Sequence, residues 1–348
     1  MVTFSGELGT TFPITLEANH VVKESQVWVG TLSNWPTGKS FNGTFRHAQT
    51  PNFQDETGRL VLTMCKKVPH GVLVFFSSYK MLNRMIERWK TSQLWRQIQD
   101  EKEIVSEPKY GKQLDGVMEK FYAAINESKS DRNLSFQTGA LFLAVFRGKV
   151  SEGLDFADNN ARAVICVGIP FPALTDPLVE LKRQYNDVKQ VTNPNILSGQ
   201  KWYEIQAFRA LNQALGRCIR HKNDWGAILM VDERYNRNQD YVNSLSKWVR
   251  GNVVHYYNCN QMTESLQTFV ADMKGEPSTL NYNRDGDRDR ESFSQNLFAG
   301  SSVAKTTRLR ESSGFSSSSI KRVKIEYDFL QPAEFQQENI LNVSSQNG

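Results

Sequence analysis

Short, dense apolar runs alternate with longer amphipathic segments over residues 1–273. The runs at 141–146 and 163–168 are rich in Val, Ile, Leu and Phe, which predicts fully buried parallel strands. Segments of helical periodicity lie between such runs, at 79–90, 115–125, 178–186 and 203–220. The alternation predicts an α/β lobe in which a mostly parallel sheet is flanked by helices.

The pattern changes after residue 273. Residues 274–348 are rich in serine and have few apolar clusters, so they cannot bury enough surface to offset the entropy of ordering. We expect a disordered tail. Within it, Lys324 fits the apolar-Lys-x-acid pattern of SUMO attachment, and Ser312 fits the phosphoserine-x-x-Phe pattern that tandem BRCT domains bind. Patterns this short also arise by chance, and the alternative is an unmodified linker.

The segment 211–221 carries the first candidate site. If it is helical, Gln213, Arg217 and Arg220 lie on one face, and Gly216 allows close packing against that turn. Two adjacent guanidiniums suit a triphosphate, because each donates to anionic oxygens and stays charged at any pH. The alternative is a solvated basic face on an ordinary amphipathic helix.

The segment 147–156 joins the two apolar runs named above. It therefore leaves the carboxyl end of a strand, where open α/β sheets bind ligands. Gly148 and Gly153 allow close backbone approach, whereas Glu152 and Asp155 give the loop an acidic edge. A plain polar surface loop explains any one of these residues but explains the whole set poorly.

Together, segments 147–156 and 211–221 resemble motifs V and VI of the iron–sulfur superfamily 2 DNA helicases, the XPD-like family. The stretch 72–79, a strand that ends in small hydroxyls, resembles motif IV. The resemblance covers about residues 7–255. Three further stretches are most similar to the Fanconi anaemia group J subfamily, with the telomere-length-regulating helicases as the alternative; these stretches are 179–187, 202–207 and 245–250.

The resemblance implies one motor lobe of an ATP-dependent DNA helicase that acts in the nucleus, in repair of interstrand crosslinks and double-strand breaks. It implies that ATP phosphates contact the catalytic residues Arg217, Arg220 and Gln213. The nucleotide cleft would also include Gly216, Glu152, Gly153 and Asp155. The backbone of single-stranded DNA would contact Ser77, Ser78, Tyr79, Arg147 and Lys149. An N-terminal helicase lobe and a BRCT-domain repair protein, the latter through the tail, are the implied protein partners.

The 348 residues contain neither a Gly-x-x-x-x-Gly-Lys-Ser/Thr phosphate loop nor an Asp-Glu-Ala-His box. The four cysteines lie too far apart in the sequence for the family's iron–sulfur cluster; they are Cys65, Cys166, Cys218 and Cys259. We interpret Cys166 and Cys218 as buried free thiols. We therefore expect the C-terminal half of a helicase, either a fragment or a truncated gene model, inactive alone. ATP and Mg²⁺ would be shared with an N-terminal lobe, and only that lobe would hold a 4Fe–4S cluster.

The composition adds little that discriminates. A net charge of +5 is compatible with nucleic-acid binding but is too small to establish it. No run of eighteen apolar residues and no secretion signal occurs, and the five histidines lack metal-ligand spacing. We expect an intracellular protein with no membrane span and no metal site. A non-catalytic scaffold module, which holds DNA or repair partners without turnover, is the alternative function.

Overall fold

The computed structural model describes residues 3–14, 21–35, 37–129, 136–154 and 156–275. These residues form a seven-stranded sheet in which every pairing is parallel, in the order β3-β4-β2-β5-β6-β1-β7. The strands are β1 (Val27–Leu32), β2 (Val72–Phe76), β3 (Glu103–Ser106), β4 (Ala140–Val145), β5 (Ala163–Val167), β6 (Gly226–Val231) and β7 (Val253–Tyr256). The predicted fold class, a RecA-like α/β lobe, is confirmed.

Helices fill the connections between the strands. They are α1 (Thr3–Leu8), α2 (Pro51–Lys67), α3 (Tyr79–Thr91), α4 (Leu94–Glu101), α5 (Leu114–Glu127), α6 (Lys149–Gly153), α7 (Pro177–Thr192), α8 (Gly199–Leu215), α9 (Arg234–Arg237), α10 (Gln239–Asn243), α11 (Lys247–Arg250) and α12 (Cys259–Lys274). Each predicted helix is present, although α7 extends six residues beyond its predicted end at 186. No helix among the described ranges is long and apolar enough to cross a membrane.

The sheet is covered on both faces, and successive strand residues supply the two cores alternately. In β2, Val72, Val74 and Phe76 belong to one core, whereas Leu73 and Phe75 belong to the other. Helices α2, α3, α4 and α12 pack on the first face, and α5, α6 and α8 pack on the second. This two-sided burial explains why the strands read as continuous apolar runs without polar alternation.

The predicted runs at 141–146 and 163–168 are β4 and β5, but these strands are not neighbours. Strand β2 lies between them and pairs with both. Motif IV therefore leaves the sheet between the two strands that flank the motif V segment. The described fold ends with α12 at Lys274 and Gly275. The tail, with Ser312 and Lys324, lies outside the described residues, and the boundary at 273 stays a prediction.

A polar cluster closes the amino ends of β2 and β4. The Lys102 side chain is fully buried, and its Nζ donates to the His70 carbonyl at 2.8 Å and to Thr138 Oγ1 at 3.1 Å. Burial lowers the pKa of Lys102 to about 8. His70 is half-buried with a positive φ of 59°, and its carbonyl leaves no room for a side chain at Gly139. Burial and then the Lys102 charge lower the pKa of His70 to about 4.

The lowered pKa of His70 predicts a loss of stability in acid. Between about pH 6.5 and 4 the unfolded histidine binds a proton that the folded one does not, so stability falls as the pH falls through this window. His70→Asn, which tolerates the positive φ, should reduce that loss by on the order of 1 kcal/mol after allowance for solvent screening. Urea denaturation at pH 7 and pH 4.5 measures it. The control His47→Asn, at an exposed histidine, should lose as much stability between pH 7 and pH 4.5 as the parent does. An equally large loss in His70→Asn would refute the assignment of this acid sensitivity to His70.

Candidate nucleotide and nucleic-acid site

The segment after β4 is a tight turn followed by one short helix. Arg147 occupies the turn with a φ of 60°, a left-handed conformation that is uncommon for a residue with a side chain. Gly148 then precedes α6, a helix of five residues that ends at Gly153. So short a helix is not stable on its own, so contacts from other elements must hold it in place.

The expectation that Gln213, Arg217 and Arg220 share one helical face is wrong. Helix α8 ends at Leu215, and the chain turns at Gly216, so both arginines lie beyond the helix. Gln213 remains exposed on the last turn. The helix ends because the next residues are held elsewhere: the Arg217 guanidinium and the buried Cys218 side chain both contact backbone carbonyls of other segments.

Arg217 caps the carboxyl end of α6. Its Nε and Nη2 donate to the Ser151 carbonyl at 2.9 and 2.6 Å, and its Nη1 donates to the Leu154 carbonyl at 2.5 Å. The last carbonyls of a helix have no partner within it, and a guanidinium fulfils that need with charge of the favourable sign. The motif VI segment and the motif V segment are therefore joined directly.

Arg220 is more exposed than Arg217, and its Nη2 donates to the Leu154 carbonyl at 3.3 Å. Its backbone N–H donates to the fully buried Asp224 carboxylate at 3.1 Å. The other oxygen of that carboxylate lies 2.7 Å from Arg162 Nη1, in an ion pair that is almost wholly buried. Sequence reasoning missed Arg162 and Asp224, although a charged residue just before each of two apolar strands, β5 and β6, was a usable signal.

The two glycines assigned to nucleotide binding differ in their surroundings. A side chain at Gly153 would meet no atom within 4 Å, whereas one at Gly216 would meet carbonyls of α8 at 3.3 and 3.5 Å. The lobe's own packing therefore does not require glycine at 153, where the absence of a side chain leaves the backbone open to close approach. Asp155, assigned to the same cleft, lies outside the described residues.

Four predicted residues from two different predicted roles line one cavity. Arg147, Lys149, Glu152 and Gly153 surround a depression of about 420 Å³. From the sequence we expected Arg147 and Lys149 to contact DNA and Glu152 and Gly153 to contact nucleotide. In the structure all four line the same depression. Arg147 also donates from Nη2 to the carbonyl of Gln206 on α8 at 2.9 Å, which limits its reach towards a ligand.

The motif IV hydroxyls lie where β2 ends, as predicted, but all three have partners inside the lobe. Ser78 is the N-cap of α3, and its Oγ accepts from the Met81 N–H at 3.2 Å. The Tyr79 hydroxyl is hydrogen-bonded to Glu107, and burial together with that carboxylate raises the pKa of Tyr79 to about 12. Ser77 is exposed, and its Oγ lies 3.2 Å from the Met81 sulfur.

Glu107 is the residue of this edge that sequence reasoning did not find. It is only 4% exposed, and its two carboxylate oxygens accept from the Val145 N–H at 3.0 Å and from the Val150 N–H at 3.3 Å. A side chain at Gly148 would collide with this carboxylate. One buried acid thus joins Tyr79, the end of β4 and the start of α6. Its only sequence signal is an acidic residue directly after a short apolar strand.

The described cysteines do not fit a metal cluster. Cys65 lies in one core, whereas Cys166 and Cys218 lie in the core on the opposite face of the sheet, and burial raises the pKa of all three thiols. The prediction of buried free thiols at 166 and 218 is confirmed. The 4Fe–4S cluster and Mg²⁺ remain expectations for another part of a complete motor.

One histidine lies beside two acids despite the absence of metal-ligand spacing in the sequence. Single ligand atoms of Asp158, His221 and Asp224 lie within 4.8 Å of one another. His221 Nε2 is 2.9 Å from Asp158 Oδ1, and the Asp224 carboxylate is paired with the Arg162 guanidinium. The guanidinium neutralises the one buried acid of the group, so this arrangement is accounted for without an ion.

The fold and the site together define an α/β lobe built on a parallel sheet, in which the motif IV and motif V segments begin at the carboxyl edge and the motif VI segment leads into β6 at the amino edge. The model of the helicase C-terminal domain matches residues 61–252, and the chain belongs to that family.

Curated relatives agree with the family match. The chain is 50% identical over 273 residues to the Fanconi anemia group J protein homolog of Gallus gallus, which covers 78% of this chain and 21% of that protein. It is 46% identical over 238 residues to the Regulator of telomere elongation helicase 1 homolog of Drosophila persimilis, covering 68% of this chain and 23% of that protein. The chain thus spans between a fifth and a quarter of the length of these relatives.

Two solved structures are similar at lower identity. An XPD helicase structure aligns with a TM-score of 0.43 and 18% identity, over 66% of this chain and 35% of that one. An S. tokodaii Xpd4 structure aligns with a TM-score of 0.45 and 14% identity, over 72% of this chain and 43% of that one.

Glu107→Gln should destabilise the region where β4 ends and α6 begins. A glutamine offers one acceptor oxygen, so either Val145 or Val150 loses a buried hydrogen bond, at a cost of about 1–3 kcal/mol. The pKa of Tyr79 should also fall from about 12 because the neighbouring charge is gone, although burial of the ring remains. Urea denaturation measures the loss of stability. Tyrosinate absorbance as a function of pH measures the pKa of Tyr79, with Tyr79→Phe as the reference that lacks this hydroxyl. Exposed Glu119→Gln is the control, and parental values of both quantities in Glu107→Gln would contradict this role.

Proposed function

We propose that this chain is the second motor lobe of an ATP-dependent DNA helicase that acts in DNA repair. The observation that carries the proposal is the joining of motifs V and VI by Arg217, together with the contact of the exposed Arg220 guanidinium with the Leu154 carbonyl, one residue after Gly153, which has open space beside it. Pre-ordered guanidiniums next to backbone with open space suit the phosphates of a nucleotide held between two lobes.

The two arginines have different roles in this proposal. Three of the five N–H groups of Arg217 already donate to α6 and Leu154, so Arg217 positions the cleft wall. Arg220, which is exposed, is the catalytic arginine that contacts the phosphates. Gln213 and Gly216 border the same space. When bound, ATP with Mg²⁺ supplies the phosphoryl group that is transferred to water, and the phosphate loop belongs to the other lobe.

The DNA-contacting surface is the edge where β2 and β4 end. Lys149 and Arg147 in the shared cavity, with the exposed Ser77 and the α3 N-terminus capped by Ser78, offer donors to backbone phosphates without reading bases. Tyr79 contributes through its ring, because its hydroxyl is engaged with Glu107. Contacts of this kind bind weakly and depend on salt.

The proposed process is the repair of interstrand crosslinks and double-strand breaks in the nucleus. Support comes from the similarity to a Fanconi anemia group J protein homolog. A role like that of a regulator of telomere elongation helicase is the alternative, since that relative is similar over much of the same region. An N-terminal motor lobe and a BRCT-domain repair protein that binds phosphorylated Ser312 are the proposed protein partners. SUMO attachment at Lys324 is proposed on the same footing.

The 348-residue chain should bind single-stranded DNA weakly and hydrolyse no ATP. Each lobe contributes only part of the charge stabilisation that phosphoryl transfer needs. Fluorescence anisotropy with a labelled oligothymidine, at two salt concentrations, and a phosphate-release assay measure these properties. Lys149→Ala should weaken DNA binding and reduce its salt dependence. DNA-stimulated hydrolysis by this chain would refute the division of labour between lobes, and salt-independent DNA binding would refute the phosphate surface.

Substitutions of Arg217 and Arg220 should have similar effects on ATPase but different effects on stability. In a complete helicase that carries this lobe, Arg217→Ala and Arg220→Ala should each lower ATPase by about 10³-fold. In the 348-residue chain, Arg217→Ala should also cost about 1–3 kcal/mol, because the Ser151 and Leu154 carbonyls lose their donors, and Arg220→Ala should cost less.

The control for this pair is Arg209→Ala, on the preceding helix α8, where the guanidinium contacts Glu7. It should leave ATPase unchanged. Equal loss of stability in both motif VI variants would show that the roles are not divided. Full ATPase in Arg220→Ala would favour the alternative function, a scaffold module without turnover.

A further inference from the structure

Helix α7 turns its polar side towards the lobe and its apolar side away from it, the reverse of an ordinary amphipathic surface helix. It has 16 residues, of which only Asn186 is buried, and no described residue of α7 belongs to either core. Its polar side faces the protein: the Arg183 guanidinium lies 5.3 Å from the Tyr203 ring of α8, and Asp187 accepts from the Gly199 N–H at 2.7 Å.

The apolar side of α7 faces outward. Leu178, Leu181, Tyr185 and Val188 are 76%, 61%, 52% and 69% exposed. We call these four residues the α7 seam. Their intervals of three, four and three residues form one continuous stripe along the helix, which is the spacing by which one helix packs against another. Isolated exposed apolar residues are normal in proteins, but a continuous stripe marks an interaction surface.

The described residues of the lobe do not cover the seam. The end of α1 and the residue that follows it lie against the loop after α7, where the Gly6 carbonyl accepts from the Leu197 N–H and Gly9 lies beside Ile196. That loop is therefore occupied, whereas the seam beside it remains exposed. The exposed stripe is about 15 Å long, which matches nearly three turns of a partner helix.

Two lysines set the charge of the seam. Lys182 and Lys189 lie with their Nζ atoms 5.0 and 5.8 Å from the centre of the Tyr185 ring, one on each side of it along the helix. Neither forms an ion pair with a described residue. The acids of the same helix are engaged elsewhere, because Glu180 bonds to Arg183 and Gln184, and Asp187 bonds to Gly199.

We propose that the α7 seam binds an amphipathic helix of a partner protein that has an apolar stripe flanked by acidic residues. Charge decides between the occupants. A second copy of the chain would bring Lys182 and Lys189 against the same lysines in an antiparallel pair, which is repulsive. Single-stranded nucleic acid would leave three aliphatic side chains of the seam without an apolar partner. An acidic helix satisfies both the aliphatic stripe and the lysines.

This inference does not depend on the proposed motor function, because no seam residue lies in the nucleotide or DNA site. The contact is small, on the order of 1,000 Å² in total, so we expect micromolar binding. The test uses two labelled synthetic helical peptides and the full 348-residue chain. One peptide has leucines at the stripe positions and glutamates beside them; its twin has lysines in place of the glutamates.

Fluorescence anisotropy should give a Kd of about 10⁻⁵ M for the acidic peptide and binding weaker by about ten-fold or more for the lysine twin. Leu181→Gln should abolish binding of the acidic peptide without lowering the melting temperature, because the side chain is exposed. The control Phe45→Gln, at an exposed aromatic elsewhere in the fold, should bind like the parent. The double variant Lys182→Glu, Lys189→Glu should reverse the preference between the two peptides.

Several results would overturn the proposal. They are equal binding of both peptides, binding that survives Leu181→Gln, and no binding of either peptide at 100 μM, about ten times the expected Kd. Competition by an oligothymidine that is lost in Leu181→Gln would assign the seam to nucleic acid instead. Concentration-dependent dimerisation in sedimentation, lost in the same variant, would assign it to a second copy. A motor that lacks ATPase but binds the acidic peptide would leave this inference intact and remove only the motor function.

Discussion

A parallel sheet needs cover on both faces, and most of this structure follows from that requirement. The strands alternate their side chains between two cores, so helices must pack on each face, and the connections can meet only at the edges of the sheet. The carboxyl edge therefore collects the segments after β2, β3 and β4, whereas Arg162 and the motif VI segment lead into β5 and β6 at the amino edge. The requirement does not explain α7, because none of its residues belongs to either core.

The loops at the edges of the sheet are held by charged groups that bond to backbone more than to one another. Glu107 accepts from the N–H groups of Val145 in β4 and Val150 in the motif V segment, and Arg217 donates to two carbonyls of that segment. Buried Asp224, itself paired with Arg162, fixes the backbone at Arg220. Each charged side chain thus forms hydrogen bonds with the backbone of a loop. In a strand or helix, neighbouring backbone groups supply these hydrogen bonds, but an irregular segment lacks such partners.

The sequence predicted the fold well because buried parallel strands give an unmistakable apolar pattern and because motifs IV to VI occur in order. For the site, the sequence predicted that the motif IV and motif V segments follow strands, which is confirmed. It did not predict the geometry of Arg217 and Arg220, since a helix-like spacing says nothing about where a helix ends. Glu107 and Asp224 were not predictable from spacing, because their partners are backbone groups brought together by the fold. The inverted polarity of α7 was also hidden, since periodicity reveals a stripe but not the direction in which it points.

The capping of α6 by Arg217 has a further consequence. The guanidinium that completes this helix belongs to the motif VI segment, so the order of one segment depends on a side chain of another. If Arg217 were drawn away, the α6 turn would lose its anchor at the same moment. Order in the motif V loop is thus coupled to the motif VI segment through a single donor, without a hinge and without movement of the sheet.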